Sequence, residues 1–172
     1  MKNLKILLNI GWTELNNLFK PKKESVDISI IDDSINNYCQ IPWGIFLADP
    51  ILKWAGGKRH LIQFILDKFP KNYKERRYHE PFLGAGAIFF KIEPKSGTIN
   101  DINPRLINFF KVVKDNPKKL IEQASTYVYD EENYKKNRDR FNEPNLPKVE
   151  DAALLLYLNK TAFNGLYRVN ST

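Results

Sequence analysis

The stretch "HEPFLGAGAIFFKI", His79 to Ile92, contains two glycines one residue apart, and an apolar run follows them directly. The preceding residues, "RRYHEPF", predict a short strand, and "GAGAIFFKI" predicts a turn that enters a helix. Glycine has no Cβ, so Gly84 and Gly86 would leave bare backbone that a ligand can approach closely. We therefore expect a ligand site where this strand meets this helix.

The segment that follows continues the same pattern. "GTINDI" predicts a second strand. Asn103 fits the N-cap of the next helix, "RLINFFKVVKDN", and Pro104 fits its first position. Strand, turn, helix, strand and helix in this order indicate an α/β fold whose sheet has parallel strands.

The segments further away are predicted to be mainly helical. Upstream, "KWAGGK" predicts a glycine-containing loop, and "RHLIQFILDKF" predicts a helix that ends at Pro70. Two polar helical segments are expected between residues 118 and 143, and "VEDAALLLYLNKTAF" has the composition of a buried helix. Residues 1–20 show the spacing of an amphipathic helix, and residues 26–31 predict a strand.

Length, charge and cysteine content limit the class of protein. The 172 residues suit one domain with a core, and the net charge of +7 divides into −1 for residues 1–50, +6 for 51–100 and +2 for 101–172. Such an excess suits a polyanion such as nucleic acid, although a solvated basic face also produces it. The single Cys39 excludes an internal disulfide, and no run approaches the roughly 18 apolar residues of a membrane span. We expect a cytoplasmic protein without a membrane partner.

Asp101 stands at the end of the second predicted strand. In open α/β sheets an acidic residue there can accept hydrogen bonds from both ribose hydroxyls of a nucleotide. A dinucleotide is disfavoured, because Phe89 occupies the place of the third glycine in the G-x-G-x-x-G pattern. Phe82, two residues before the first glycine, instead suits stacking against the adenine of a single nucleoside.

Four segments together carry a family resemblance. The segments "LKWAGGKRHL", "EPFLGAGAIF", "NDINPRLINFFKVVK" and "LYLNKTAFNGLYRVN" occur in this order. In order and spacing they resemble the amino-terminal half of the Dam-type, or alpha-group, DNA adenine-N6 methyltransferases. The resemblance covers residues 51–172, and residues 1–50 form an extension whose role it does not explain.

The resemblance implies a cofactor and the residues that bind it. S-adenosylmethionine would lie on the glycine turn, with the "KWAGGK" loop along its methionine side. Its sulfonium, ammonium and carboxylate groups suit a site that contains both a lysine and acidic residues. The implied cofactor-binding residues are Trp54, Lys58, Glu80, Phe82, Gly84, Gly86 and Asp101. Taken alone, Lys58 would be interpreted as a surface lysine.

The resemblance also implies double-stranded DNA as the partner, and GATC is the first guess for the target. Phe163 and Asn164 would enter the base stack beside a flipped adenine, and Arg168 would bind a base edge. An aromatic side chain can replace the stacking that a flipped base loses, and arginine can form two hydrogen bonds to guanine. Without the resemblance, Phe163 would be read as a core residue and Arg168 as a surface residue.

The catalytic tetrapeptide of the family, Asp-Pro-Pro-Tyr, does not occur in these residues. The chain contains no Pro-Pro pair, and "ADPI" at residues 48–51 lacks the second proline and the aromatic. We therefore expect no catalytic residue in this chain and no activity by the chain alone. A split gene, whose second polypeptide supplies the missing half, a truncated gene and a partial sequence are the three explanations. The alternative is a non-catalytic module that binds S-adenosylmethionine or DNA.

The expected organisation has three parts. Residues 1–50 form the extension, residues 51–117 form the cofactor-binding part of a partial Rossmann-like methyltransferase sheet, and residues 118–172 begin a truncated helical DNA-recognition subdomain. No metal site is expected.

Overall fold

The computed structural model describes residues 50–165. The helix predicted for residues 1–20, the strand predicted for residues 26–31 and Arg168 lie outside the described residues. The described part combines helices with a small parallel sheet, as an α/β fold requires.

The sheet is built from the two strands that the sequence predicted. Strand β1 spans Tyr78–Glu80 and strand β2 spans Gly97–Ile99, and they pair in parallel with Glu80 opposite Ile99. The connection between them contains helix α2, Ala87–Ile92, which begins directly after the glycine turn. The prediction of a strand, turn and helix followed by a parallel strand is confirmed.

Helix α3, Pro104–Asp115, begins as the sequence predicted. The Oδ1 atom of Asn103 accepts hydrogen bonds from the backbone N–H groups of Arg105, at 3.0 Å, and Leu106, at 3.2 Å. These bonds satisfy two of the donors that every helix start leaves unpaired. Because the capping residue Asn103 lies two residues after Asp101, this cap also fixes the backbone that follows the second strand.

Three further α-helices follow α3: α4, Pro117–Ser125; α5, Glu131–Phe141; and α6, Lys148–Thr161. Helix α6 packs against α3, α4 and α5. All six residues from Ala152 to Tyr157 are buried, so α6 is the central helix that its apolar composition predicted. The two polar helical segments predicted before it correspond to α4 and α5.

Arg105 joins three of these helices. Its guanidinium lies 3.9 Å from the centre of the Phe141 ring and donates a hydrogen bond to the Phe141 carbonyl oxygen at 2.5 Å. Its Nε atom lies 3.4 Å from a carboxylate oxygen of Asp151, whose other oxygen accepts a 2.8 Å hydrogen bond from Asn108. The buried Asp151 carboxylate on α6 therefore has partners on α3, and Arg105 also reaches the end of α5.

The helix predicted to run up to Pro70 is shorter than expected. A 3-10 helix spans Arg59–Leu61, helix α1 spans Ile62–Leu66, and the chain then turns. The N–H groups of Lys68 and Phe69 bond to carbonyl oxygens three residues back, which tightens the last turn. Proline disfavours the helical conformation in the residue before it, so the chain leaves the helix ahead of Pro70.

The core anchors the loop that follows residue 52. Ile51 and Leu52 are buried in the same apolar cluster as Leu106, Phe109 and Leu154, so the "KWAGGK" loop starts from the helical core. In the described part of the chain, no helix has both the length and the apolar character that crossing a bilayer requires.

Candidate functional site

A cavity of about 150 Å³ lies where the "KWAGGK" loop faces the glycine turn. Its walls contain five of the seven residues that the sequence proposed for the cofactor, whereas Gly86 and Glu80 are not in the lining. The lining residues are Trp54, Ala55, Gly56, Gly57, Lys58, Phe82, Leu83, Gly84, Ala85, Ala87 and Asp101. The structure therefore brings together Trp54, Lys58, Phe82, Gly84 and Asp101, which come from three separate segments.

The two glycines of the turn have backbone conformations that other residues rarely adopt. Gly84 has φ of 54° and Gly86 has φ of 81°. A Cβ on Gly86 would lie 2.8 Å from the ring of Phe90, and a Cβ on Gly84 would lie 3.4 Å from Trp54. The Phe90 ring therefore excludes a side chain at position 86, and this constraint does not involve a ligand. Gly84, in contrast, forms part of the cavity wall.

Asp101 holds the end of the second strand against the glycine turn. Its Oδ2 atom accepts a 2.9 Å hydrogen bond from the Gly84 N–H, and its Oδ1 atom accepts a 3.0 Å bond from the Asn103 N–H. An ionised carboxylate has about four acceptor positions, and these bonds use two of them. Asp101 can therefore keep the turn in place and still accept two hydrogen bonds from a ligand.

Lys58 is directed toward the cavity wall. Its Nζ atom donates to the Phe82 carbonyl oxygen and lies 3.8 Å from Oε1 of Glu80. The other Glu80 oxygen accepts a 2.7 Å hydrogen bond from the Tyr78 hydroxyl. An ammonium group has three donors, so Lys58 keeps one for an anionic group of a ligand. The Phe82 side chain is itself 74% exposed.

The Glu80 carboxyl is buried behind the cavity. Burial raises its pKa above 4.5, and the Tyr78 hydroxyl and the Lys58 ammonium only partly offset that effect. Burial and the hydrogen bond to Glu80 also raise the pKa of Tyr78. Since both shifts disfavour the ionised forms, Glu80 is the residue here whose charge costs stability at neutral pH.

We expect Glu80→Gln to change how stability depends on pH. A carboxyl whose pKa is raised by folding stabilises the folded state while it is protonated, and this contribution is lost as the pH rises through that pKa. Glutamine keeps an acceptor for Tyr78 and does not ionise. In urea unfolding between pH 4 and pH 8, the stability of the variant relative to the parent should increase with pH. Two parallel profiles would contradict the prediction.

The second candidate region is a turn at the end of α6. A 3-10 helix spans Phe163–Gly165, and the Phe163 side chain is 86% exposed. Asn164 is also exposed and has φ of 57°. The reading of Phe163 as a core residue is therefore wrong, because the chain leaves α6 at Ala162 and carries the ring away from the packed face. Arg168 lies outside the described residues.

Asn159 connects this turn to the "KWAGGK" loop. Its Oδ1 accepts a 2.9 Å hydrogen bond from the Lys53 N–H, and its Nδ2 donates to the Lys53 carbonyl at 2.7 Å and the Gly165 carbonyl at 2.9 Å. Nearby, the Lys160 ammonium donates to the Ile51 carbonyl at 2.7 Å. Asn159 was not among the predicted site residues, although a single amide in the apolar run "AALLLYLNKT" indicated a buried polar partner.

A larger groove of about 550 Å³ lies on the other side of Asp101. It runs along α3 and the start of α6, and the 96% exposed Ile102 is part of its wall. Ile102 was not among the predicted site residues. Because Asp101 lines both the groove and the smaller cavity, a ligand bound to its carboxylate can extend in either direction.

Comparison with protein families gives a match over most of the chain. Residues 54–172 match the model of D12 class N6 adenine-specific DNA methyltransferases. This range includes the cavity, the exposed turn and all of the helices and strands described above.

Curated relatives match the same part of the chain. A protein named type II methyltransferase M1.LlaDCHI, from Lactococcus lactis subsp. cremoris, is 41% identical over 127 residues, which cover 71% of this chain and 44% of the relative. The DNA adenine methylase of Haemophilus influenzae is 42% identical, with 71% and 43% covered. The DNA adenine methylase of Escherichia coli K12 is 36% identical, with 69% and 43% covered. The chain thus spans less than half the length of these relatives.

Proposed function

Because the chain belongs to the family of D12 class N6 adenine-specific DNA methyltransferases, we propose that it binds S-adenosylmethionine and double-stranded DNA. Residues 54–172 would form the corresponding part of an enzyme that methylates adenine N6. The cofactor occupies the cavity between the "KWAGGK" loop and the glycine turn, and DNA contacts the turn at the end of α6. We place both binding steps in the cytoplasm.

The observation that carries this proposal is the position of Asp101. Its carboxylate lies at the carboxyl end of a parallel strand, bonds to the N–H of Gly84 and borders the cavity. Ligands of open α/β sheets bind at this edge, and an acid there is suited to ribose hydroxyls. The two unused acceptor positions of Asp101 match the two hydroxyls of a ribose.

The other charged groups of the cavity fit the remainder of the cofactor. Lys58 has a donor for the carboxylate of the methionine moiety, and Glu80 adds negative charge close to Lys58. The bound cofactor would supply a methyl group on a sulfonium centre. Exposed Phe82 offers a ring face for the adenine, and Ile102 offers a second apolar surface beyond Asp101.

The size of the cavity limits how much of the cofactor it can enclose. Its volume of about 150 Å³ is below the roughly 300–1,000 Å³ that is usual for ligand pockets. The cavity would therefore hold one end of the cofactor, and the rest would lie over Asp101 toward the groove. We expect weak binding by these residues alone.

The exposed turn is proposed to contact DNA. The 86% exposed ring of Phe163 projects from a turn whose backbone is fixed by Asn159, as an aromatic wedge requires. The excess charge of +6 in residues 51–100 would attract the phosphate backbone. Asn164 and Arg168 follow in the same segment and are proposed to contact the bases.

Calorimetric titration tests the proposal directly. The 172-residue chain should bind S-adenosylmethionine and should also bind a 20-base-pair duplex that contains adenine. Adenosine triphosphate serves as the control ligand for the cavity, because it carries the same nucleoside without the methionine moiety. Absence of binding to both S-adenosylmethionine and the duplex would refute the proposed function.

A second candidate is a module that binds cofactor or DNA without catalysis. These 172 residues contain no Pro-Pro pair and therefore no Asp-Pro-Pro-Tyr segment. We propose that this polypeptide alone transfers no methyl group to DNA, and that a polypeptide containing an Asp-Pro-Pro-Tyr segment would complete the enzyme. Tritium transfer to duplex by the purified chain, from a host that lacks adenine methylation, would contradict this. Restoration of methyl transfer by the second polypeptide would exclude the candidate function of a non-catalytic module.

We expect Arg168→Ala to lower the affinity for the cognate duplex and to reduce the discrimination between bases at one position of the target. An arginine that binds a guanine edge is worth about 1 to 3 kcal/mol of discrimination at that position. Affinities should be measured on GATC duplexes with single-base substitutions at two salt concentrations. A uniform loss across all duplexes, with a smaller salt slope, would assign Arg168 to a phosphate contact instead.

Phe163→Ala in the same assay should weaken all duplexes alike, because stacking is tolerant of sequence. Phe64→Ala is a matched control, since Phe64 is also exposed but lies on α1. Equal affinities for the Phe163 variant and the parent would remove the turn from the DNA contact.

A further inference from the structure

Asn159 is buried and connects two regions that are distant in sequence. Its side chain is 3% exposed and its three hydrogen bonds reach Lys53, 106 residues away, and Gly165. An amide side chain can form four hydrogen bonds, and buried polar groups are costly unless they are bonded. A buried amide with three good bonds therefore fixes the positions of its partners strongly.

The contact with Lys53 holds the start of the loop. Asn159 accepts from the N–H and donates to the carbonyl of the same residue, so the backbone of Lys53 is bonded on both sides. Trp54 follows directly and lies in the cavity wall beside Gly84. Any movement of Asn159 would consequently move the Trp54 side of the cavity.

The contact with Gly165 holds the turn. Gly165 is buried with φ of 64°, and a Cβ there would lie 2.6 Å from the Asn159 carbonyl oxygen and 2.8 Å from the side chain of Lys53. The loop, the end of α6 and the turn thus meet at close packing distance. The exposed Phe163 lies two residues before Gly165, so its position depends on the same bond.

We propose that Asn159 is a shared positioning residue. It fixes the position of the "KWAGGK" loop, which lines the cofactor cavity, relative to the turn at the end of α6, which contacts DNA. This inference rests on the proposed function of both regions. Methyl transfer needs the donor and the acceptor atom aligned within a fraction of an ångström, and a displacement of about 1 Å can cost about a hundredfold in rate. A single amide that bonds to both regions sets that relation without touching either ligand.

Asn159→Ala removes all three bonds, and Asn159→Ser is the milder substitution because it keeps one hydroxyl. Asn137→Ala is the matched control, because Asn137 is a buried asparagine on α5 that bonds to Tyr157 instead of to the loop or the turn. Each variant of the 172-residue chain is tested for urea stability, for S-adenosylmethionine affinity and for affinity to the adenine-containing duplex.

We expect Asn159→Ala to weaken both affinities about tenfold, with a smaller effect for serine. In a Trp54→Ala background the further loss of cofactor affinity should be below about twofold, and in a Phe163→Ala background the same should hold for the duplex. Such non-additivity identifies a residue that acts through its neighbours. Asn137→Ala should lower stability and leave both affinities within about twofold of the parent.

Hydrogen exchange of the unsubstituted chain tests the connection even if the Asn159 variants do not fold. Addition of S-adenosylmethionine should slow exchange at the amide of Gly165, although the turn lies outside the cavity. Unchanged exchange there would overturn the inference, as would additive losses in the double variants, or an Asn159→Ala variant that loses stability but neither affinity. If the parent binds neither ligand, the proposed function itself fails.

Discussion

Arg105→Ala is expected to lower the free energy of unfolding by about 3 kcal/mol, the lower end of the cost of removing one partner from a buried ion pair, because Asp151 is buried and Arg105 is partly exposed. The guanidinium lies 3.9 Å from the centre of the Phe141 ring and 3.4 Å from the carboxylate of Asp151. Alanine would remove both contacts and the hydrogen bond to the Phe141 carbonyl. The largest part of the loss comes from the buried Asp151 charge, which would keep only Asn108 as a partner on α3.

A second substitution separates that charge from the lost packing. Burial raises the pKa of Asp151 even with Arg105 present, and removal of Arg105 should raise it further. The penalty of Arg105→Ala should therefore shrink at acidic pH, where Asp151 is protonated. Adding Asp151→Asn should recover part of the loss at neutral pH.

Urea unfolding of the parent, the two single variants and the double variant measures this coupling. Arg138→Ala is the control, because Arg138 is exposed and pairs with its neighbour Asp139; its effect should stay within about 0.5 kcal/mol. If the double variant were less stable than Arg105→Ala alone, the unpaired charge of Asp151 would not be the cause of the lost stability.

Asp101→Ala is expected to reduce S-adenosylmethionine affinity by about 1.5 to 3 kcal/mol for each charged hydrogen bond to the ribose that is lost. That corresponds to roughly 10-fold to 150-fold for one bond. The substitution also releases the Gly84 N–H, so the glycine turn loses its tie to the second strand. We therefore expect the loss of affinity to be accompanied by a loss of stability.

Two variants distinguish the ribose contact from the tie to the turn. Asp101→Asn keeps one carbonyl oxygen for a backbone N–H, so it should retain more stability than alanine while it still loses the negative charge. Asp139→Ala is the matched surface control, because Asp139 is exposed on α5 and lines neither the cavity nor the groove. Calorimetry that gives the same affinity for the parent and for Asp101→Ala would exclude Asp101 from the site.

The features that were predicted correctly depend on neighbouring residues. Asn103 and Pro104 start α3 through bonds that span three residues, and the apolar composition of α6 requires burial wherever the helix packs. The two parallel strands follow from the strand, turn and helix pattern. The end of α1 was misjudged because the periodicity of its side chains continues past the point where the backbone tightens before Pro70.

The proximity of two candidate site residues was predictable for the same reason, and their role in binding stays a prediction. Gly84 and Asp101 lie in short segments whose types and order indicate a nucleoside site, and the structure places both on one cavity. The bond between Tyr78 and Glu80 could have been anticipated, since residues two apart on a strand share a face. The contact of Asn159 with Lys53 could not, because it depends on how a loop and a helix 106 residues apart pack together.

The central position of α6 has a consequence for synthesis on the ribosome. Helix α6 is the last of the described helices to be made, yet the buried faces of α3, α4 and α5 all pack against it. Translation proceeds at about 5–20 residues per second, so apolar side chains such as Phe109 remain uncovered for several seconds before their partner emerges. The nascent chain in that interval presents the surface that chaperones bind, and the yield of folded protein should depend on translation speed between α3 and α6.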